Sequence, residues 1–196
     1  MLNIIKAYIP NSIKRNFKGL IGNIFSSIRY YIGSERYFPH HSLSKRKKIT
    51  TIVFVCKGNV CRSAFAEYRL KYLLGPTKVH IDSCGIDVDQ GHFPPADSVT
   101  IATEFSCSLA NRQAKKLADC DIENADLIFP MEYWQYKHLL QLYPEKKKNI
   151  FLLRSAAPFP SCLFCNIADP YGWGKKEFRR VYRLVDQSLH QIKRWC

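Results

Sequence analysis

VFVCKGNVCRSAFAE spans residues 53–67. Its beginning completes an apolar, β-branched run, ITTIVFV at 49–55, that reads as a buried strand. From Arg62 the pattern turns helical: Ala64, Ala66, Tyr68, Leu70, Leu73 and Leu74 suit a helix over 62–74. Such a loop between a parallel strand and its following helix stands at the carboxyl edge of the sheet, where α/β proteins bind ligands. Helix N-termini there offer free N–H groups and a positive dipole end to an anion. Gly58 lets the backbone approach closely, and Asn59 tolerates left-handed geometry. With Lys57, Val60 and Cys61 they form a run of N–H groups, an anion nest. Arg62 adds a planar fork that matches two phosphate oxygens. The same positive surroundings favour the thiolate of Cys56, a nucleophile held beneath a bound oxyanion. Ser63 is placed to donate a hydrogen bond to that sulfur and ease its departure in a second step.

Further strands are expected at KVHIDSC (78–84), ADLIFPM (125–131) and NIFLL (149–153). Helices are expected over 96–105, 112–117, 132–142 and 175–193, the last with Phe178, Val181, Tyr182, Leu184, Val185, Leu189 and Ile192 on one side. Strands alternating with helices imply an α/β fold, a four-stranded parallel sheet with helices on both faces.

Charge divides the chain. Thirty Lys and Arg stand against sixteen Asp and Glu, a net +14. Residues 1–48 hold ten of the basic side chains and one acid, Glu35. Two units are therefore expected: a basic N-terminal extension with linker, 1–48, and a catalytic domain, 49–196. Within the extension, Ile13, Phe17, Leu20, Ile21, Ile24, Phe25, Ile28, Tyr31 and Ile32 recur at helical spacing, opposite Lys14, Arg15, Lys18 and Arg29. This basic amphipathic helix over 11–32 suits docking on a membrane surface, on the catalytic domain or on a protein partner. An organellar presequence has the same composition. Nothing beyond charge points to nucleic acid. No run reaches the roughly eighteen apolar residues of a membrane span, and no secretory signal is legible, so a cytoplasmic protein is expected, peripheral at the membrane if the helix inserts. The eight cysteines then read mostly as reduced thiols.

The loop VCKGNVCRSAFAE resembles the signature of the low-molecular-weight protein tyrosine phosphatases, and DSCG (82–85), ADLIFPM (125–131) and DPYG (169–172) match further family segments in the right order. The resemblance covers about residues 49–196. It implies a protein-tyrosine phosphatase with Cys56 as nucleophile, Arg62 as phosphate clamp and Asp169 of DPYG as general acid and then base, with no metal and no cofactor. Tyr171 then forms an aromatic pocket wall, with His92 or Phe93 in the place of a further family aromatic. The resemblance also implies that Cys61 can pair with Cys56 under oxidation, against the plain reading of Cys61 as a small buried hydrophobe. It implies a phosphotyrosine protein as substrate, in bacteria often a tyrosine kinase of polysaccharide export. Two positions depart from the pattern: Ala64 stands where proline is usual, and Lys57 where many members are neutral. Lys57 at the pocket rim would favour acidic peptides.

Other functions are weighed against this one. A thiol-dependent arsenate reductase needs two closely spaced relay cysteines, and Cys84, Cys107 and Cys120 are dispersed. Phosphoarginine-reading members carry Thr where Val60 stands, and the aliphatic Val60 suits a flat aromatic ring better. A catalytically dead phosphate-binding adaptor fits poorly with Cys56, Arg62 and Asp169 all retained. Cys162 and Cys165 form a C-x-x-C without a second pair at metal-ligand spacing, so ordinary thiols are expected there rather than zinc.

Overall fold

A computed structural model describes residues 11–33, 49–88 and 92–196, with side chains over 19–32 in the first helix. The expected linker at 34–48, and the side chains of Lys14, Arg15 and Lys18, lie outside the described residues. The elements run in the order α1 (Asn11–Gly33), β1 (Thr51–Cys56), α2 (Arg62–Leu74), β2 (His80–Gly85), α3 (Ala96–Thr103), β3 (Leu127–Pro130), α4 (Tyr133–Leu142) and α5 (Gly174–Ile192). All strand pairs are parallel and their order is β2-β1-β3. The chain thus leaves β1 on one side and returns on the other, which makes the carboxyl end of β1 a topological switch point. Cys56, the last residue of β1, pairs with Gly85 and ends the strand there.

Period two along β1 assigns each side chain to a face. Ile52, Phe54 and Cys56 join Phe65 and Leu70 of α2, Ile101 of α3, and Phe178, Val181, Tyr182, Val185 and Leu189 of α5. The Phe65 and Tyr182 rings stack at 3.8 Å. Val53 and Val55 join Ile128 of β3, Tyr136 and Leu139 of α4, and Tyr30 of α1. Because β1 is covered on both faces it reads as one continuous apolar run, and each large side chain so buried contributes about 1.5–3 kcal/mol.

The helix α1 reaches this second face mainly by residues other than its apolar stripe, with Tyr31 the stripe residue that takes part. Tyr30 is buried, packs edge-on against Tyr136 at 5.2 Å, and its hydroxyl accepts from Leu152 N at 3.2 Å. Ser27 Oγ accepts from Cys165 N at 2.9 Å, Asn23 Oδ1 accepts from Asn166 N at 3.1 Å, and the Tyr31 hydroxyl donates to Cys162 O. Asn23, Ser27, Tyr30 and Tyr31 lie along one helix face by their spacing. Their seat is the C-x-x-C segment, whose two thiols are buried and free. No cluster of metal-ligating side chains is found among the described residues. Leu20, Ile21, Ile24, Phe25, Ile28 and Ile32 remain exposed, Phe25 at 62% and Ile32 at 77%. No described helix is long and apolar enough to cross a membrane.

Two expectations are corrected. The sheet has three strands rather than four among the described residues. NIFLL forms with β3 the isolated Ile128–Ile150 bridge, with Ile128 N donating to Asn149 O and Phe151 N to Ile128 O, both at 2.9 Å. At Leu153 the chain turns into a 3-10 helix, Leu153–Ala156, that packs on α5 and ends the pairing. Residues 112–117 form no helix, because their polar groups are used elsewhere. Ala114 N donates to His92 O, Lys115 O accepts from Gly85 N, and Lys115 N donates to Asn59 Oδ1. A single 3-10 turn, Leu117–Asp119, follows.

Candidate active site

The loop from Cys56 to Ser63 folds around Asn59. This residue is fully buried and takes φ 53°, the left-handed region that asparagine tolerates. Its Oδ1 accepts from Arg112 Nη2 and Lys115 N, both at 2.8 Å, which fixes its amide nitrogen on the other side. That nitrogen donates to Ser63 Oγ at 2.9 Å and Ser83 Oγ at 2.8 Å. Ser63 Oγ lies 2.9 Å from Cys56 Sγ and 3.3 Å from Cys84 O. The Ser63 hydroxyl can thus donate to Cys84 O, and its contact with Cys56 Sγ can be donated from either side. Asn59 N points at the same sulfur from 3.2 Å.

Beneath the loop, Arg112 Nη2 pairs with Glu67 Oε2 at 3.2 Å and donates to Ser83 Oγ at 2.9 Å, while Ser83 Oγ donates to Glu67 Oε2 at 2.7 Å. All three residues are buried, so their charges and dipoles are mutually satisfied. The exit of β2 clamps the loop from the side: Ile86 N donates to Cys56 O and Asp87 N to Lys57 O. A Cβ on Gly85 would stand 2.6 Å from Lys57 O and 3.0 Å from Asn59 N, so glycine is needed there for the two segments to touch. This is the physical content of the DSCG match. The sequence reading gave that duty to Gly58, whose added Cβ would meet nothing closer than 3.9 Å.

Arg62 is 1% exposed. Its Nη1 donates to Glu132 Oε1 at 2.5 Å and to Ile167 O at 3.0 Å, and Nη2 to Asp169 Oδ2 at 2.7 Å. Its Nε–H is buried with no partner among the described residues. Burial works against the guanidinium charge, but Cys56, Glu132 and Asp169 around it push its pKa up. Asp169 also accepts from Tyr171 N at 3.3 Å through Oδ1, so the turn role and the site role belong to one side chain. Cys61 is buried, and burial, then Asp169 and Cys56, push its thiol well above the usual range.

Cys56, Lys57, Gly58, Val60, Cys61, Arg62, His92, Asp169 and Tyr171 line one cleft of about 280 Å³. Asn59 and Ser63 lie behind it as its brace. Phe93 does not line it and is half exposed, so of the two candidates for that wall only His92 is in place. Lys57 is at the rim, 3.8 Å from Asp87, in an exposed pair of little energetic weight. Sequence reasoning missed Glu132, Arg112, Glu67 and Ser83. Glu132 carried a signal, a carboxylate directly after a predicted strand at the same sheet edge. Arg112 and Glu67 carried none, since only the fold brings them together.

Fold and cleft define an α/β protein with a cysteine and a buried arginine in one cleft at a parallel-sheet switch point. Residues 51–194 match the family model described as low molecular weight phosphotyrosine protein phosphatase. The chain is 31% identical over 140 residues to the low molecular weight protein-tyrosine-phosphatase Wzb of Escherichia coli K12, covering 71% of this chain and 90% of that one. Among solved structures, the Erwinia amylovora tyrosine phosphatase AmsI superposes with a TM-score of 0.66 at 26% identity, covering 75% of this chain and 93% of the other. Vibrio vulnificus Wzb in complex with benzylphosphonate gives 0.65 at 28% identity, covering 74% and 98%. The chain belongs to the low molecular weight phosphotyrosine protein phosphatases and is a protein-tyrosine phosphatase.

Proposed function

We propose that Cys56, Arg62 and Asp169 carry the reaction. The Cys56 thiolate attacks the phosphorus of phosphotyrosine, and the phenolate oxygen leaves with a proton from Asp169. A water deprotonated by the Asp169 carboxylate then cleaves the thiophosphate, and the sulfur departs as a thiolate that accepts the Ser63 hydrogen bond. Loop N–H groups and Arg62 hold the equatorial oxygens through both steps. The observation that carries this is the Arg62 fork: nearly fully buried, one arm 2.7 Å from Asp169, and a buried Nε–H with no partner among the described residues. An arriving phosphate dianion displaces the Asp169 carboxyl group from Nη2 and frees it to face the leaving oxygen. Val60, His92 and Tyr171 give the cleft a wall for a flat ring. Cys56→Ser should lose all hydrolysis of an aryl phosphate, while the wild type stays active in EDTA. Full activity in Cys56→Ser, or wild-type loss in EDTA, overturns the scheme. The physiological substrate we propose, on the family resemblance, is a phosphorylated tyrosine kinase of polysaccharide export.

A second reading concerns α1. Six large apolar side chains are exposed along it, while residues 1–48 carry ten basic side chains and one acidic. Exposed apolar area on a segment rich in basic residues fits an anionic bilayer surface, at roughly 1 kcal/mol per basic residue near the headgroups. The full chain should co-sediment with phosphatidylglycerol vesicles at low salt, and Phe25→Ser/Ile28→Ser should weaken this. A wild type that stays in the supernatant rules the reading out.

A further inference from the structure

A second cavity, of about 770 Å³, lies between α1 and the catalytic body. Leu20 and Asn23 wall it on one side, Arg154, Trp173, Lys176 and Arg180 on the other, and Asp169 belongs to both this cavity and the catalytic cleft. Resting on the phosphatase reading above, we infer that this cavity is a second anion subsite, which receives an acidic side chain close to the phosphotyrosine of the substrate.

Its charges support this. Arg154 Nη1 donates to Asn166 O at 3.1 Å, its guanidinium lies over Phe164 at 5.4 Å, and its Nε–H is buried with no partner among the described residues. Burial, and then the charge of Arg180, pull its pKa down, as expected of a cation short of anions. Neither Arg154 nor Lys176 has an ion-pair partner among the described residues, whereas Arg180 is paired with Glu177, another lining residue, at 2.5 Å. Asp169 is engaged by Arg62. The positive charge in excess is therefore that of Arg154 and Lys176. Trp173 adds an aromatic surface, so the cavity takes either a carboxylate or an aryl phosphate.

Placement selects the substrate as the source of that group. The two cavities share Asp169, and a peptide advancing about 3.3–3.6 Å per residue passes the width of one side chain in two steps. The wall from α1 precedes the family match, which begins at residue 51, so that wall is an addition of the chain's own extension, while the cations lie within the match.

Three phosphotyrosine peptides test it, alike except for Gln, Glu or a second phosphotyrosine at the flanking positions, with a simple aryl phosphate alongside. The full chain should show kcat/KM about tenfold higher for the acidic peptides, the effect of one charge-assisted contact. Arg154→Gln/Lys176→Gln should erase that advantage and leave the aryl phosphate rate unchanged. A larger gain with the second phosphotyrosine than with Glu identifies a phosphoryl group as the occupant, and equal gains identify either anionic side chain. Should Arg154→Gln fail to fold, Lys176→Gln alone must still reduce the advantage, and raising salt must shrink it in the wild type. No preference in the wild type, or a preference that survives in the variants, overturns the subsite while leaving the phosphatase intact. No hydrolysis of any of the four substrates overturns both.

Discussion

Asp169 meets three demands at once. It closes a turn through Tyr171 N, pairs with Arg62 at 2.7 Å and stands on the cleft wall. Asp169→Asn keeps the turn and removes the proton, so hydrolysis of phenyl phosphates with poor leaving groups should fall roughly a hundredfold or more. Substrates with good leaving groups should suffer less, and a plot of rate against leaving-group acidity checks this; equal losses would mean another acid. Cys56, Arg62 and Asp169 were legible because short-range pattern marks them: a thiol at a strand end, an arginine at a helix start, an aspartate before a proline. Asn59 was legible as a left-handed loop residue, but the rest of the brace was not, since Ser83, Glu67 and Arg112 meet it only when the strand exit, helix face and irregular segment converge. Asp82 belongs to the same brace. Burial raises its pKa, but the Lys115 ammonium, Ser83 N–H and Cys120 thiol outweigh this and hold the carboxyl below its ordinary range. A carboxyl depressed in the folded state adds stability above its unfolded pKa and loses it as pH falls through the folded one. Denaturation midpoints should therefore drop on acidification below about pH 4, and Asp82→Asn should flatten that drop. A variant with the wild-type slope would exclude Asp82 as a contributor.

Among the elements, α1 shows how periodicity locates a helix and misassigns its contacts. The expected span, 11–32, differs from Asn11–Gly33 by one residue. The docked face is Asn23, Ser27, Tyr30 and Tyr31, chosen by hydrogen bonds to the backbone of Leu152 and of 162–166, whereas an apolar-stripe argument favours Ile24 and Ile28, which stay exposed. Hydrophobicity alone carries no information about acceptors placed one helix turn apart. The failed fourth strand has a similar origin: NIFLL has strand composition, but Leu153 is drawn into the turn that meets α5. Tyr30→Phe should leave Leu152 N–H buried without its acceptor and cost about 1–3 kcal/mol. Chemical denaturation reads the loss, and aryl phosphate turnover should not change. A loss under about 0.5 kcal/mol would mean that water replaces the hydroxyl.

At the scale of the whole molecule, one buried cation ties together segments far apart in the chain. Arg62 opens α2, Glu132 follows β3, and Asp169 follows the segment on which α1 is seated. An oxyanion entering the cleft therefore meets a clamp that is already occupied. Its affinity is the difference between two sets of ion pairs, which favours departure of inorganic phosphate after the second step over retention. The enzyme carries its own antagonist of product inhibition. Removing the carboxylate that phosphate must displace, in Asp169→Asn, should tighten inhibition by inorganic phosphate about tenfold, measured with an aryl phosphate of good leaving group. Unchanged or weaker inhibition would show that phosphate and Asp169 do not compete for Arg62.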